Sequence, residues 1–281
     1  MSIFYQFATA AWGMAAVMAW GTSDFLGGYF TRRANAFLFT AIFNLGGLTL
    51  MATLAKATHA PSLSARSVIW ILAGGVSGSA GVAIFFLALS AGRMGLVAPV
   101  AAVVSASIPA LVSMFTEGLP GRVSIFGFFL AATGLWFITR SEDGNARENI
   151  DLAIAAGIGF AGFFICIRQA GNGSAFWFAA FTRIGGLAVI GLVVVLQRTF
   201  REITASGVRG AVIAGCIDSV GTIFFVRACQ RGRLDEAVVI SSLYPAVTVL
   251  LARIVLKEHF TRWRLVGLLA ALVAVPMIAA G

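Results

Sequence analysis

The chain has 281 residues, 59% of them apolar and only 11% charged, against about a quarter charged in an ordinary soluble domain. A net charge of +9 accompanies a mean hydropathy of +0.95, which excludes disorder and leaves more apolar surface than a soluble fold can hide. The cations are scattered singly and form no patch for nucleic acid, so the composition is that of an integral membrane protein.

Ten apolar runs follow one another, at about 8–30, 36–56, 67–91, 94–116, 122–139, 150–168, 174–197, 208–229, 235–255 and 263–280. A helical crossing needs about 20 residues, so ten of them leave only about 80 for loops and no room for a soluble domain. The runs do not alternate as barrel strands do. The pattern predicts an all-α integral membrane protein with ten transmembrane helices. The first run lacks a basic leader and reads as a retained span, not a cleaved signal.

Ionisable groups inside apolar spans are costly and are functional candidates by default. In the first span Asp24 follows Trp20 by four residues, on one helical face. A carboxylate beside an indole suits a cation or an amine-bearing aromatic solute; the alternative is a partner at the interface such as Arg32 or Arg33. The second span carries Asn44 and Gly46-Gly47. The third carries Gly74 and Gly78, Ser79, and then Phe85. Pro99 and Pro109 fall in the fourth, where each frees a carbonyl and permits a bend, and Glu117 closes it.

The longest polar stretch, RSEDGNARENID from Arg140 to Asp151, divides the chain nearly in half. Beyond it, the seventh span holds Arg183, read as structural over the alternative of binding a substrate carboxylate, and the eighth holds Asp218 near its middle. Burial makes the charge of a lone carboxylate costly, so Asp218 is a candidate for carrying a proton or meeting a substrate ammonium. The alternative is a salt bridge to Arg183. Phe224 follows in the same span. In the ninth, Ser241, Ser242 and Tyr244 precede Pro245, which combines hydroxyls with an expected bend; Glu258 closes the hairpin. Cys166, Cys216 and Cys229 lie in apolar stretches without metal-like spacing, so neither disulfides nor zinc are implied.

A shift of 139 residues lays Phe39-Thr-Ala-Ile-Phe-Asn44-Leu-Gly46-Gly47-Leu48 on Phe178-Ala-Ala-Phe-Thr-Arg183-Ile-Gly185-Gly186-Leu187, and Ser79 on Asp218. Shifts of 140 and 141 pair Gly92-Arg93 with Gly232-Arg233 and Glu117 with Glu258. The chain therefore divides into 1–140 and 141–281. Five spans, an odd number, oblige the second copy to enter the membrane from the opposite side. Such inverted repeats mark secondary transporters that bind substrate near the midplane.

The segments AWGTSDFLGG (Ala19 to Gly28), GRMGLVAPVAAVVSASIPALVSMFTEGLPGR (Gly92 to Arg122) and GRLDEAVVISSLYPAVTVLLARIVLKEHFTRWRLVG (Gly232 to Gly267) resemble those of EamA-type carriers of the drug/metabolite transporter superfamily. The likeness spans essentially the whole chain. It departs from a strict repeat where Pro109 stands 8 residues before Glu117 but Pro245 stands 13 before Glu258. The resemblance implies a ten-helix carrier; aromatic amino-acid exporters are one known type within the family.

The candidate substrate lining is Trp20, Asp24, Ser79, Phe85, Asp218, Phe224, Ser241 and Tyr244: aromatic walls with few polar anchors, the usual make-up of a small-molecule site. It suits an apolar or aromatic amino acid. A phosphate ester would ask for clustered Arg or Lys, and Arg183 alone lies within the spans. No nucleotide, zinc-protease or serine-hydrolase motif occurs, so no enzyme, cofactor or metal is expected. Energy would come from gradients, with protons the candidate ion, in a monomer or homodimer working with the lipid bilayer and no nucleic acid. Two alternatives remain: a lipid-linked sugar flippase component on the same scaffold, and a membrane-embedded enzyme. Lys and Arg number 7 in loops on the amino-terminal side and 12 on the other, which points to both termini outside. The resemblance implies both termini in the cytoplasm, at the inner membrane, and that orientation is adopted.

Overall fold

A computed structural model of the chain describes residues 3–91, 94–117, 121–139, 149–198, 203–231, 241, 243–257 and 261–279. Among the described residues there are ten helices and no strand: α1 (Ile3–Thr31), α2 (Ala36–Ala57), α3 (Ala65–Ala91), α4 (Met94–Glu117), α5 (Arg122–Thr139), α6 (Ile150–Ala170), α7 (Ala175–Gln197), α8 (Ala205–Arg231), α9 (Tyr244–Val255) and α10 (Arg262–Ala279). Five of them, α2, α3, α6, α7 and α8, are long and apolar enough to cross a membrane by length and composition. The expected bounds 36–56 and 122–139 fall within a residue of α2 and α5.

The helix starts have local causes. Asn35 accepts from the Phe37 and Leu38 amides at 2.9 and 3.1 Å, and the Ser64 hydroxyl accepts from the Ser67 amide at 3.1 Å; both satisfy donors that an N-terminus leaves open. Ser174 does the same for Trp177 at the start of α7. Inside the helices, Thr40, Thr49, Thr53 and Thr133 donate to carbonyls four residues back, so these four hydroxyls carry no open donor. Side chains such as Ile69, Phe126, Phe129, Leu196, Ile254 and Trp263 point outward, as a lipid surrounding permits.

Pro245 lies in the first turn of α9, where proline has no intrahelical bond to break. The expected upstream part of that span, together with Ser242 and Glu258, lies outside the described residues; the Glu117 side chain does too.

Several of the larger helix contacts occur in pairs. α1 packs on α8 and α6 on α3; α3 packs on α7 and α8 on α2; α4 packs on α6 and α9 on α1. Each of these six contacts becomes its partner when the halves are exchanged, whereas the α4–α10 and α1–α3 contacts have no counterpart of similar extent among the described residues. The pairs α2–α7, α4–α9 and α5–α10 map onto themselves.

The same packing corrects the register of the third and eighth spans. Gly75 faces the backbone of Thr182, where an added Cβ would come within 2.8 Å of the carbonyl carbon. Gly215 faces the backbone of Phe43 in the same manner, at 2.7 Å. Asn44 accepts from Ser79 at 3.2 Å, and Arg183 donates to Ser219 at 3.1 Å. Thus α2 and α7 correspond at an offset of 139, but α3 and α8 correspond at 140. Ser79 matches Ser219, and Asp218 matches Gly78, not Ser79 as the uniform shift implied.

Candidate functional site

A cavity of about 650 Å³, its open mouth included, lies between helices of both halves. α1 contributes Trp20 and Asp24, α3 contributes Ser79 and Val82, and α6 contributes Phe160, Phe163 and Phe164. Thr182 and Arg183 come from α7, Asp218 and Thr222 from α8, and Tyr244 from α9. Gly75 and Gly78 complete the α3 wall, where the absence of side chains lets α6 and α7 approach closely.

Asp24 is held in place by its neighbours in sequence. Ser23 donates to the Ala214 carbonyl of α8 at 2.8 Å, and the Gly21 carbonyl accepts from Thr248 of α9 at 3.1 Å. These bonds fix the rotation of α1, so that Trp20 and Asp24, one turn apart, both face the cavity. Asp24 is 7% exposed and has no hydrogen bond or ion pair with any described residue. Trp20 meets Tyr244 edge-on at 6.2 Å between centroids and leans on Phe225 at 5.3 Å.

The second polar cluster, centred on Arg183, joins three helices, α2, α7 and α8. Arg183 forms an ion pair with Asp218, donates to Ser219, and reaches Asn44 at 3.4 Å. Its guanidinium lies 5.1 Å from the centre of the Phe43 ring, a cation–π arrangement. The reading of Asp218 as a lone carboxylate is therefore corrected: its charge is met by Arg183, the alternative weighed from the sequence. The pairing of Asp24 with Arg32 or Arg33 does not occur; both arginines are exposed beyond the end of α1.

Of the eight expected lining residues, Trp20, Asp24, Ser79, Asp218 and Tyr244 line the cavity. Phe85, Phe224 and Ser241 do not. Phe85 is fully buried behind the wall and packs edge-on to Phe160 at 5.4 Å. Phe224 turns away to Trp12 at 5.5 Å; the 139 offset pointed to it, whereas the 140 offset makes Phe225 the counterpart of Phe85. The Ser241 hydroxyl is buried without a hydrogen-bond partner among the described residues. Outside the expected set, the lining also includes Val82, Thr182, Thr222, the α6 aromatics and Arg183, which the sequence marks as structural. Phe160, Phe163 and Phe164 stand at i, i+3 and i+4, a one-face spacing visible in GFAGFF but shared by any packed apolar helix. Among the described residues no three His, Cys, Asp or Glu side chains are grouped to hold a metal.

The family model of the EamA-like transporter family matches residues 150–280. The second half of the chain is an EamA-like transporter domain. That agrees with the resemblance of Gly232–Gly267 and with the drug/metabolite transporter superfamily. Together with the apolar helices, that domain indicates a multi-pass membrane protein. One solved crystal structure of a protein superposes on 96% of this chain and 95% of its own length, with a TM-score of 0.66 and 17% identity. That likeness extends the shared fold over both halves, and at this identity it speaks for the fold alone. A comparison with curated proteins gives no match.

Proposed function

We propose that the EamA-like chain is a ten-helix secondary transporter in which 1–140 and 141–281 form two EamA-like five-helix repeats of inverted topology. It moves small organic metabolites outward across the inner membrane, foremost amino acids with aromatic or apolar side chains. The central cavity opens alternately to the two faces as one half tilts against the other, and the termini lie in the cytoplasm.

The observation that carries this reading is the composition of the cavity. Trp20, Phe160, Phe163, Phe164 and Tyr244 supply apolar and aromatic walls, and Asp24 supplies a buried carboxylate without a partner among the described residues. Few convergent polar groups on apolar walls are the common form of a small-molecule site. A phosphate ester finds no cluster of cations here, since Arg183 is already paired. The exchange of helix contacts between halves supports the repeat.

The test is counterflow in proteoliposomes with labelled phenylalanine, methionine, threonine, glucose and a triose phosphate. The reading expects phenylalanine and methionine to move faster than the sugar. Movement of the phosphate ester with none of the amino acids contradicts it.

A further inference from the structure

The charges lining the cavity do not balance. It holds two carboxyl groups, Asp24 and Asp218, and one described cation, Arg183. Asp218 and Arg183 neutralise each other. Arg183 also gives hydrogen bonds to Ser219 and Asn44 and lays its face toward Phe43. Asp24 remains with no counter-charge among the described residues, more than nine-tenths buried and aimed into the space.

The halves differ at this point in an informative way. An added Cβ on Gly221 would meet Trp20, and one on Gly81 would meet Phe160. Trp20 and Phe160 are thus counterparts at an offset of 140, and Asp24 is the counterpart of Phe164. One half brings a carboxylate to the place where the other brings a ring, and the two face the same space together with Trp20 and Tyr244.

We propose that the cavity recognises its solute by an ammonium group and an apolar or aromatic body, and makes no use of a carboxylate. Amines that lack the carboxylate then bind at least as tightly as the matching amino acids. The inference rests on the reading of this cavity as the solute site of a transporter. An ammonium at Asp24 gains a buried counter-charge and the faces of Trp20 and Tyr244. A solute carboxylate instead becomes a third anion in a space with one cation. To reach Arg183 it must displace Asp218, which would leave that acid buried and uncompensated.

The test is calorimetric binding to the purified full chain in detergent, with phenethylamine, phenylalanine amide, phenylalanine and 3-phenylpropionate as probes. Phenethylamine and the amide are expected to equal or exceed phenylalanine, with 3-phenylpropionate weaker than phenethylamine by about 10-fold or more. Loss of one charged hydrogen bond in Asp24→Asn is expected to weaken both amines by about 10- to 100-fold, and Asp24→Glu to retain part of that affinity. A 3-phenylpropionate that binds as tightly as phenylalanine, while phenethylamine binds at least about 10-fold more weakly, overturns the proposal, as does failure of both amines to bind. If the amines bind in the expected order but no amino acid moves in counterflow, the proposal stands and the amino-acid assignment falls. If phenylalanine moves and 3-phenylpropionate competes with it as well as phenethylamine does, the assignment stands and the proposal falls.

Discussion

Arg183 on α7 reaches 3.4 Å across to Asn44 on α2, the residue that holds the same place in the other half of the chain. Each also bonds a serine of its own half, Asn44 to Ser79 and Arg183 to Ser219. The two halves are therefore joined by polar groups at the α2–α7 contact, which maps onto itself when the halves are exchanged. Asp218 is the addition that breaks the likeness, because its counterpart is Gly78. An arginine in place of an asparagine at this depth requires a counter-charge, and Asp218 provides it.

Removing either member of that pair is expected to cost more than removing both. Arg183→Met or Asp218→Leu alone leaves a buried charge without its partner, at about 3–5 kcal/mol. The double variant Arg183→Met/Asp218→Leu is expected to recover a large part of the loss. Thermal unfolding of the four proteins in one detergent measures the coupling. Additive losses would show that the pair contributes little.

The close helix contacts make a second prediction. Gly215→Ala drives a Cβ against the Phe43 backbone, and overpacking of this kind costs about 1–3 kcal/mol. Gly191 on α7 has nothing within 4 Å of an added Cβ. Gly191→Ala is expected to be neutral or to stabilise by up to about 1 kcal/mol through helix propensity. Equal melting temperatures for the two variants would remove the packing argument.

Trp20 offers a test of the wall. Loss of its ring in Trp20→Ala removes a cation–π surface worth about 0.5–2 kcal/mol, so the KM for phenylalanine is expected to rise by about 2- to 30-fold. Trp20→Phe is expected to restore most of it. Unchanged kinetics in Trp20→Ala would place the solute elsewhere.

Orientation is decided by a reporter fused at Gly281. The proposed topology expects activity from a cytoplasmic reporter there, and an active periplasmic reporter overturns it. The loop count of 7 cations against 12 points the other way, so the fusion separates the charge rule from the family arrangement.

Much of this architecture is visible in the sequence because its causes are local. Asn35 and Ser174 mark helix starts through their own side chains, and the hydropathy of α2 and α5 gives their bounds to within a residue. The candidate site is legible only in part. Trp20 and Asp24 are one turn apart and must share a face, whichever helices surround them. The partner of Asp218 is set by how α7 lies against α8, which no single span encodes. The exchange of Phe224 for Phe225 has a similar origin: a slip of one residue between α3 and α8 rotates every side chain by about 100°. Phe85 and the α6 aromatics are alike in composition, and only packing tells wall from backing.

Alternating exposure of the central cavity is the claim on which the rest depends. Ser79, in the wall of that cavity, reports it directly when changed to cysteine in a chain whose Cys166, Cys216 and Cys229 are replaced by alanine. Labelling by a membrane-impermeant thiol reagent is measured from each face of sealed, oriented vesicles, with and without a phenylalanine gradient. The account predicts labelling from both faces, with the two rates shifting in opposite directions when the gradient is reversed. Labelling from one face alone, indifferent to the gradient, would contradict it.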